Sequence, residues 1–207
     1  MRKQAWAVLA VVSAWSLGCG PASPSEESST SSEPLTAAES SSLTFLREEE
    51  KLARDVYLAL GARYGQVIFT NIAASEQQHM DAVLTLLDRY GLADPAAGRA
   101  EGEFADAQLQ ALYDQLVVQG EAGLTAALGV GAAIEDLDLA DLARFTAQTT
   151  RPDVLTVYAN LSKGSRNHLR SFTGQLTSLG VTYTPQHLDA ATYEAIVSSP
   201  MERGPAR

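Results

Sequence analysis

Two short segments place a histidine at the same register of what reads as separate helices. In NIAASEQQHM, residues 71–80, Glu76 and His79 stand three apart. In NLSKGSRNHL, residues 160–169, His168 repeats the histidine while Ser165 holds the glutamate's position. Residues three apart on a helix project to the same side, so Glu76 and His79 can present a carboxylate oxygen and an imidazole nitrogen together. Glu50, Glu135 and Asp138 bring three more carboxylates. Oxygen and imidazole donors without thiolates suit a pair of divalent metal ions, iron ahead of manganese, rather than a thiophilic metal.

The elements that must position these residues are legible as stripes. Leu43, Leu46, Glu50, Ala53, Tyr57, Leu60 and Tyr64 recur in alternating steps of three and four, and Phe69, Ile72, Glu76, His79, Val83, Leu86 and Tyr90 follow the same rhythm. A third stripe runs Leu124, Leu128, Gly131, Glu135, Asp138, Leu142, Phe145, and a fourth runs Tyr158, Leu161, Ser165, His168, Phe172, Leu179. This is the period of amphipathic helices. Four of them burying their stripes against one another predict an all-α four-helix bundle. GLADPAAGRAEGEF breaks the pattern with Gly and Pro, so it reads as a loop. An extra short helix is expected over residues 105–119, between the second and third long helices, and a short C-terminal helix from Thr184 and Pro185, with residues 186–207 as helix and tail.

The acids and histidines sit where the stripes should be apolar. A buried carboxylate without a partner is costly or becomes neutral, and no Arg or Lys lies on these stripes, so the cluster calls for a counter-charge that cations would supply. Other readings stay open. Glu-x-x-His alone is often a solvated helix face, and Glu135 and Asp138 could be first-turn charges of a helix starting after Gly131. His168 could be a core histidine bonded to a carboxylate. Glu48 and Glu49 read as solvated neighbours, and His187 as structural or exposed. Tyr57, Asn71 and Asn160 could support ligands through hydrogen bonds, or simply pack and cap.

With 207 residues, 45% of them hydrophobic, the chain can bury one core of ordinary size. A net charge of −10 leaves no basic surface for nucleic acid. The single Cys excludes an internal disulfide and four-thiolate metal sites. That residue, Cys19, closes MRKQAWAVLAVVSAWSLGC, a basic start and an apolar run too short to span a bilayer. Residues 1–19 resemble a bacterial lipoprotein signal, which implies a lipid anchor at Cys19, although Ser16 stands where that signal usually has Leu. A secretory leader with an incidental Cys is the alternative; both readings place the protein outside the cytoplasm, and the lipid-anchored one places it in the bacterial cell envelope. Residues 20–42, rich in Ser, Glu and Pro, read as a disordered tether, with folding expected from near Ser42.

EKLARDVY, residues 50–57, and IAASEQQH, residues 72–79, resemble the first two helices of the ferritin-like superfamily, most closely its rubrerythrin-type branch. Together with IEDLDLADL and GSRNHLRSF they are similar to a bacterial and archaeal family of ferritin-like domains of unknown function, often secreted or membrane-attached. The resemblance covers residues 43–185. It implies that Glu50, Glu76 and His79 hold one half of a dinuclear centre, with Glu135 and His168 in the other. Asp138 matches an additional rubrerythrin carboxylate and is expected to compensate for Ser165. The rubredoxin module of rubrerythrins is absent, so a redox centre would need an external electron donor. Oxidase, peroxidase or ferroxidase activity would suit the resemblance. The alternative is a non-enzymatic envelope protein with a mononuclear, structural or absent metal. Bundles of this kind also form homodimers.

Overall fold

The computed structural model describes residues 34–204; the leader, Cys19 and the chain up to residue 33 lie outside the described residues. Six helices and no strand are found among the described residues: α1 (Ala37–Tyr64), α2 (Val67–Tyr90), α3 (Ala107–Gly120), α4 (Leu124–Thr146), α5 (Pro152–Ser178) and α6 (Ala190–Val197). The long helices pair as two hairpins, α1 with α2 and α4 with α5, and α3 bridges α1 and α4. Gly65 makes the first hairpin turn possible: it ends α1 in a left-handed conformation, φ 64°, where a side chain would be strained. The expected four-helix bundle with an additional short helix after α2 and another near the C-terminus is what the chain forms.

The core is layered along the bundle. One apolar cluster gathers Leu52, Val56, Tyr57, Phe69, Ile72 and Phe172, with Leu128 and Ile134 from α4. A second gathers Leu43, Leu46, Val83, Leu86, Leu142, Val154 and Leu161. Between them every long helix contributes polar residues: Glu50 from α1, Glu76 and His79 from α2, Glu135 and Asp138 from α4, Ser165 and His168 from α5. The hydrophobic effect of the two flanking clusters fixes helix register, and register fixes the polar layer.

Two boundaries differ from those read from the sequence, and a third decides between two readings. The bundle starts upstream of Ser42 because Thr36 and Glu39 form a reciprocal capping box, which satisfies first-turn amides and lets α1 begin within the Ser-rich stretch. Glu39 is further held by Thr149 and Arg151. α4 begins at Leu124, where its stripe begins, and not after Gly131, so Glu135 and Asp138 lie mid-helix and are not first-turn charges. α6 begins at Ala190 and not at Thr184. Asp189 caps it, accepting from the Ala191 and Thr192 amides, while the amides of Gln186, His187 and Leu188 turn inward to the Asp136 carboxylate.

Candidate metal centre

Glu76 lies at the middle of the polar layer. Its Oε2 is 2.7 Å from His79 Nδ1 and its Oε1 is 2.8 Å from His168 Nδ1, so one carboxylate spans two histidines from different hairpins. The sequence dictates the first contact through i,i+3 spacing on α2; the second depends on α5 lying across α2. Glu50 Oε2 stands 3.0 Å from His79 Nδ1, and Glu135 Oε2 stands 3.5 Å from His168 Nδ1. Two triads result, Glu50–Glu76–His79 and Glu76–Glu135–His168, each with ligand atoms within 4.8 Å of one another, and each suited to hold a metal ion. They share Glu76. The imidazole rings stack with centroids 5.6 Å apart.

These donors converge without satisfying one another. Glu50 Oε1, Glu76 Oε1 and His168 Nδ1 have no hydrogen-bond partner, although Glu76 Oε1 and His168 Nδ1 are only 2.8 Å apart. Close but misaligned donors and acceptors are expected where lone pairs aim at a common point between them rather than at each other. The donor set, carboxylates with imidazole nitrogens, matches that of iron, manganese or zinc sites.

The electrostatics show what the cluster does on its own. Burial pushes the Glu50 carboxyl up to about 7, with the neighbouring Glu76 adding to the rise and His79 opposing it. Burial would also raise Glu76, but His168 and His79 outweigh it and hold this carboxylate well below the ordinary range. Burial disfavours the charged histidines, yet Glu76 and Glu135 lift His168 to about 10, and Glu76 and Glu50 raise His79 well above its usual value. Burial, with Glu76 adding to it, raises Glu135 against the pull of His168. Two protonated imidazoles thus stand in for cations, and a metal ion would displace those protons.

Other side chains orient the layer. The buried Tyr57 hydroxyl donates to Glu135 Oε1 at 2.6 Å. Ser75 Oγ lies 3.0 Å from His168 Nε2, which leaves Nδ1 turned inward. Gly164 holds the equivalent place beside His79: a Cβ there would sit 2.4 Å from His79 Nε2. A methyl group would therefore push the ring. Ser165 is fully buried and bonds Asp138 Oδ2, while Asp138 Oδ1 has no partner. Asp138 is therefore next to the centre but belongs to neither triad.

Some expectations do not hold. Glu48 and Glu49 are not solvated: each is 3% exposed. Glu48 caps the loop that ends before α3, accepting from the Ala105 and Asp106 amides. Neither Glu49 oxygen has a partner. Asn71 is exposed, Asn160 donates to the Thr156 carbonyl of its own helix, and Tyr57 bonds the cluster. Ser75 was missed, and its signal was available: it precedes Glu76 in the segment that aligns Gly164 with it.

A family model described as an uncharacterized protein domain, DUF2202, matches residues 39–200. The chain belongs to the DUF2202 family. Uncharacterized protein MJ0754 of Methanocaldococcus jannaschii is 48% identical over 177 residues, covering 86% of this chain and 96% of that protein. A crystal structure of hypothetical protein MJ0754 from Methanococcus jannaschii is similar in fold, with a TM-score of 0.81 at 47% identity. The similarity covers 82% of this chain and 97% of that one. The DUF2202 match contains every residue of both triads together with Ser75, Asp138, Gly164 and Ser165.

Proposed function

We propose that this DUF2202 protein is a ferritin-like bundle that binds two divalent ions, iron ahead of manganese, through Glu50, Glu76, His79, Glu135 and His168. The observation that carries the reading is Glu76, whose two oxygens reach the histidines of two separate triads at 2.7 and 2.8 Å. A pair of redox-active ions there would supply electrons to a small oxidant such as dioxygen or a peroxide, in an oxidase, peroxidase or ferroxidase reaction. The protein's part is positional. Glu76 would be shared between the two ions, and Glu50 and Glu135 would each complete one side. Ser75 keeps His168 Nδ1 inward, and Tyr57 holds Glu135. The carboxylates are at most 2% exposed, whereas His79 and His168 are 9% and 8% exposed, which supports access for small molecules along the α2–α5 face. Electrons would come from an external donor. The protein would act outside the cytoplasm, held at a membrane through a lipid on Cys19, as a monomer or homodimer.

A non-enzymatic metal-binding role is the second reading, and Ser165 favours it. The position opposite Glu76 carries a hydroxyl that ties up Asp138 instead of a second bridging carboxylate. Metal analysis of protein from its native compartment separates the two. Two iron or manganese ions per chain that change oxidation state with dioxygen or peroxide support the redox reading. A single redox-inert ion supports the other. No bound metal, and no rise in Tm with added Fe(II) or Mn(II), overturns both.

A further inference from the structure

Beside the second hairpin, α4 and α5 share with α6 and the segment after it a cavity of about 630 Å³. Its walls are largely apolar: Leu139 and Ala143 on α4, Leu188 before α6, Ala195 and Ile196 on α6, and Pro200 after it. Ala143, Thr192 and Ala195 are exposed, so the cavity opens to solvent. No member of either triad lines it. A volume of this size suits a small molecule, and such sites set a few polar groups at one point of an apolar wall.

Here the charged wall is Arg166 and Arg170, one turn apart on α5. Both hold the Glu202 carboxylate: Arg166 donates through Nε at 2.7 Å and Nη2 at 2.6 Å, and Arg170 through Nη2 at 3.1 Å. Arg170 is fixed further by neutral acceptors, the Ile196 carbonyl, Asn167 Oδ1 and Ser199 Oγ. Among the described residues Glu202 is the acid that each arginine pairs with, so two guanidinium groups face one carboxylate. That surplus of positive charge stands in a chain whose net charge is −10. Two-point contact from a guanidinium fits a planar carboxylate in particular. The segment that carries Glu202 is tied down by polar contacts: Asn167 exchanges two hydrogen bonds with the Glu202 backbone, and Lys163 reaches the Gly204 carbonyl. Its one large apolar side chain, Met201, is half exposed.

We propose that this cavity binds a small amphiphile with an apolar body and a carboxylate head, and that Glu202 is the chain's own carboxylate, holding the head position until such a ligand displaces it. The apolar walls take the body, and Arg166 and Arg170 take the head. Release of Glu202 frees the segment from Ser199 to Gly204 and widens the mouth of the cavity. Because Glu202 is tethered to the site, it competes at high effective concentration, and the ligand binds the fraction of molecules in which the arginines are vacant. The inference does not depend on the metal reading.

The test uses the whole folded chain and octanoate, with octanol as the same body without the charge. Binding is followed by calorimetry for wild type, Glu202→Gln, Arg166→Gln and Ala143→Trp, and circular dichroism checks each fold. Wild type should bind octanoate weakly, and Glu202→Gln should bind it about tenfold more tightly, with no such gain for octanol. Arg166→Gln should erase the preference for octanoate over octanol. Ala143→Trp, which fills the cavity from an exposed position, should bind neither. The inference is overturned if Glu202→Gln gains nothing for octanoate, if octanol gains as much, if Arg166→Gln keeps the preference, or if Ala143→Trp leaves binding intact. Folded protein that binds octanoate in none of these forms overturns it as well.

Discussion

Two sets of buried charges occupy this bundle, and they differ only in their partners. On the side of α1 that faces the loop after α2, Lys51 is 1% exposed and meets Asp55 at 2.5 Å and the Ala100 carbonyl at 2.7 Å. Asp55 also accepts from the Gly102 amide and bonds Arg54, while Arg47 grips Asp94 with two hydrogen bonds. Asp136 is fully buried and takes three backbone amides and the Tyr183 hydroxyl. In the polar layer one helical face away, Glu49, Glu50, Glu76 and Asp138 are equally buried yet keep unpartnered oxygens. Burial of an acid therefore says little by itself. A complete set of donors marks an acid as structural, and a missing set marks a place where the protein waits for something else.

The sharpest way to break this contrast is Glu76→Ala. It should abolish binding of both ions, since both triads use this residue, and full metal stoichiometry in the variant would refute the assignment. Asp136→Ala should do the opposite. Losing the acceptor for three amides and a hydroxyl should cost on the order of 3 kcal/mol in urea unfolding, with metal content unchanged. Gly164→Ala should displace the His79 ring and weaken one ion more than the other, read as a split in the metal titration.

A pH series refines the same comparison. Glu50 is raised in the folded state from its ordinary 4.5 to about 7, so its contribution to stability is full below 4.5 and is lost as pH climbs through 7. His168, raised from 6.5 to about 10, contributes fully below 6.5 and loses that contribution as pH climbs to 10. Metal-free protein should thus lose Tm between about pH 4.5 and 7, where Glu50 ionises. Metal binding needs that carboxylate ionised, so the Tm gain on adding Mn(II) should widen over the same interval. Smallest of all, Ser165→Ala should cost about 1 kcal/mol by releasing Asp138, without removing either ion.

Much of the fold was legible because the apolar stripes repeat at helical period, and the residues interrupting them turned out to be the polar layer itself. Glu50, Glu76, His79, Glu135 and His168 were visible because each breaks a stripe. Glu49 was not, because it lies off the stripe and looks like any acidic neighbour until α4 packs over it. Asp136 was invisible for another reason: its partners lie far along the chain, in the segment from Tyr183 to Leu188. Thr184 and Pro185 resemble a helix start, but the backbone there serves Asp136 instead, and the helix waits for the Asp189 cap. Local pattern cannot register a bond that only tertiary packing makes.

Sharing Glu76 between the triads also bears on how the centre fills. Before any ion arrives, this carboxylate lies against both imidazoles; freeing it for a first ion would free it for the second as well, which would then have only its own histidine's proton to displace. Occupancy should then be all or none. At limiting metal a population would divide into molecules holding two ions and molecules holding none, with few carrying one.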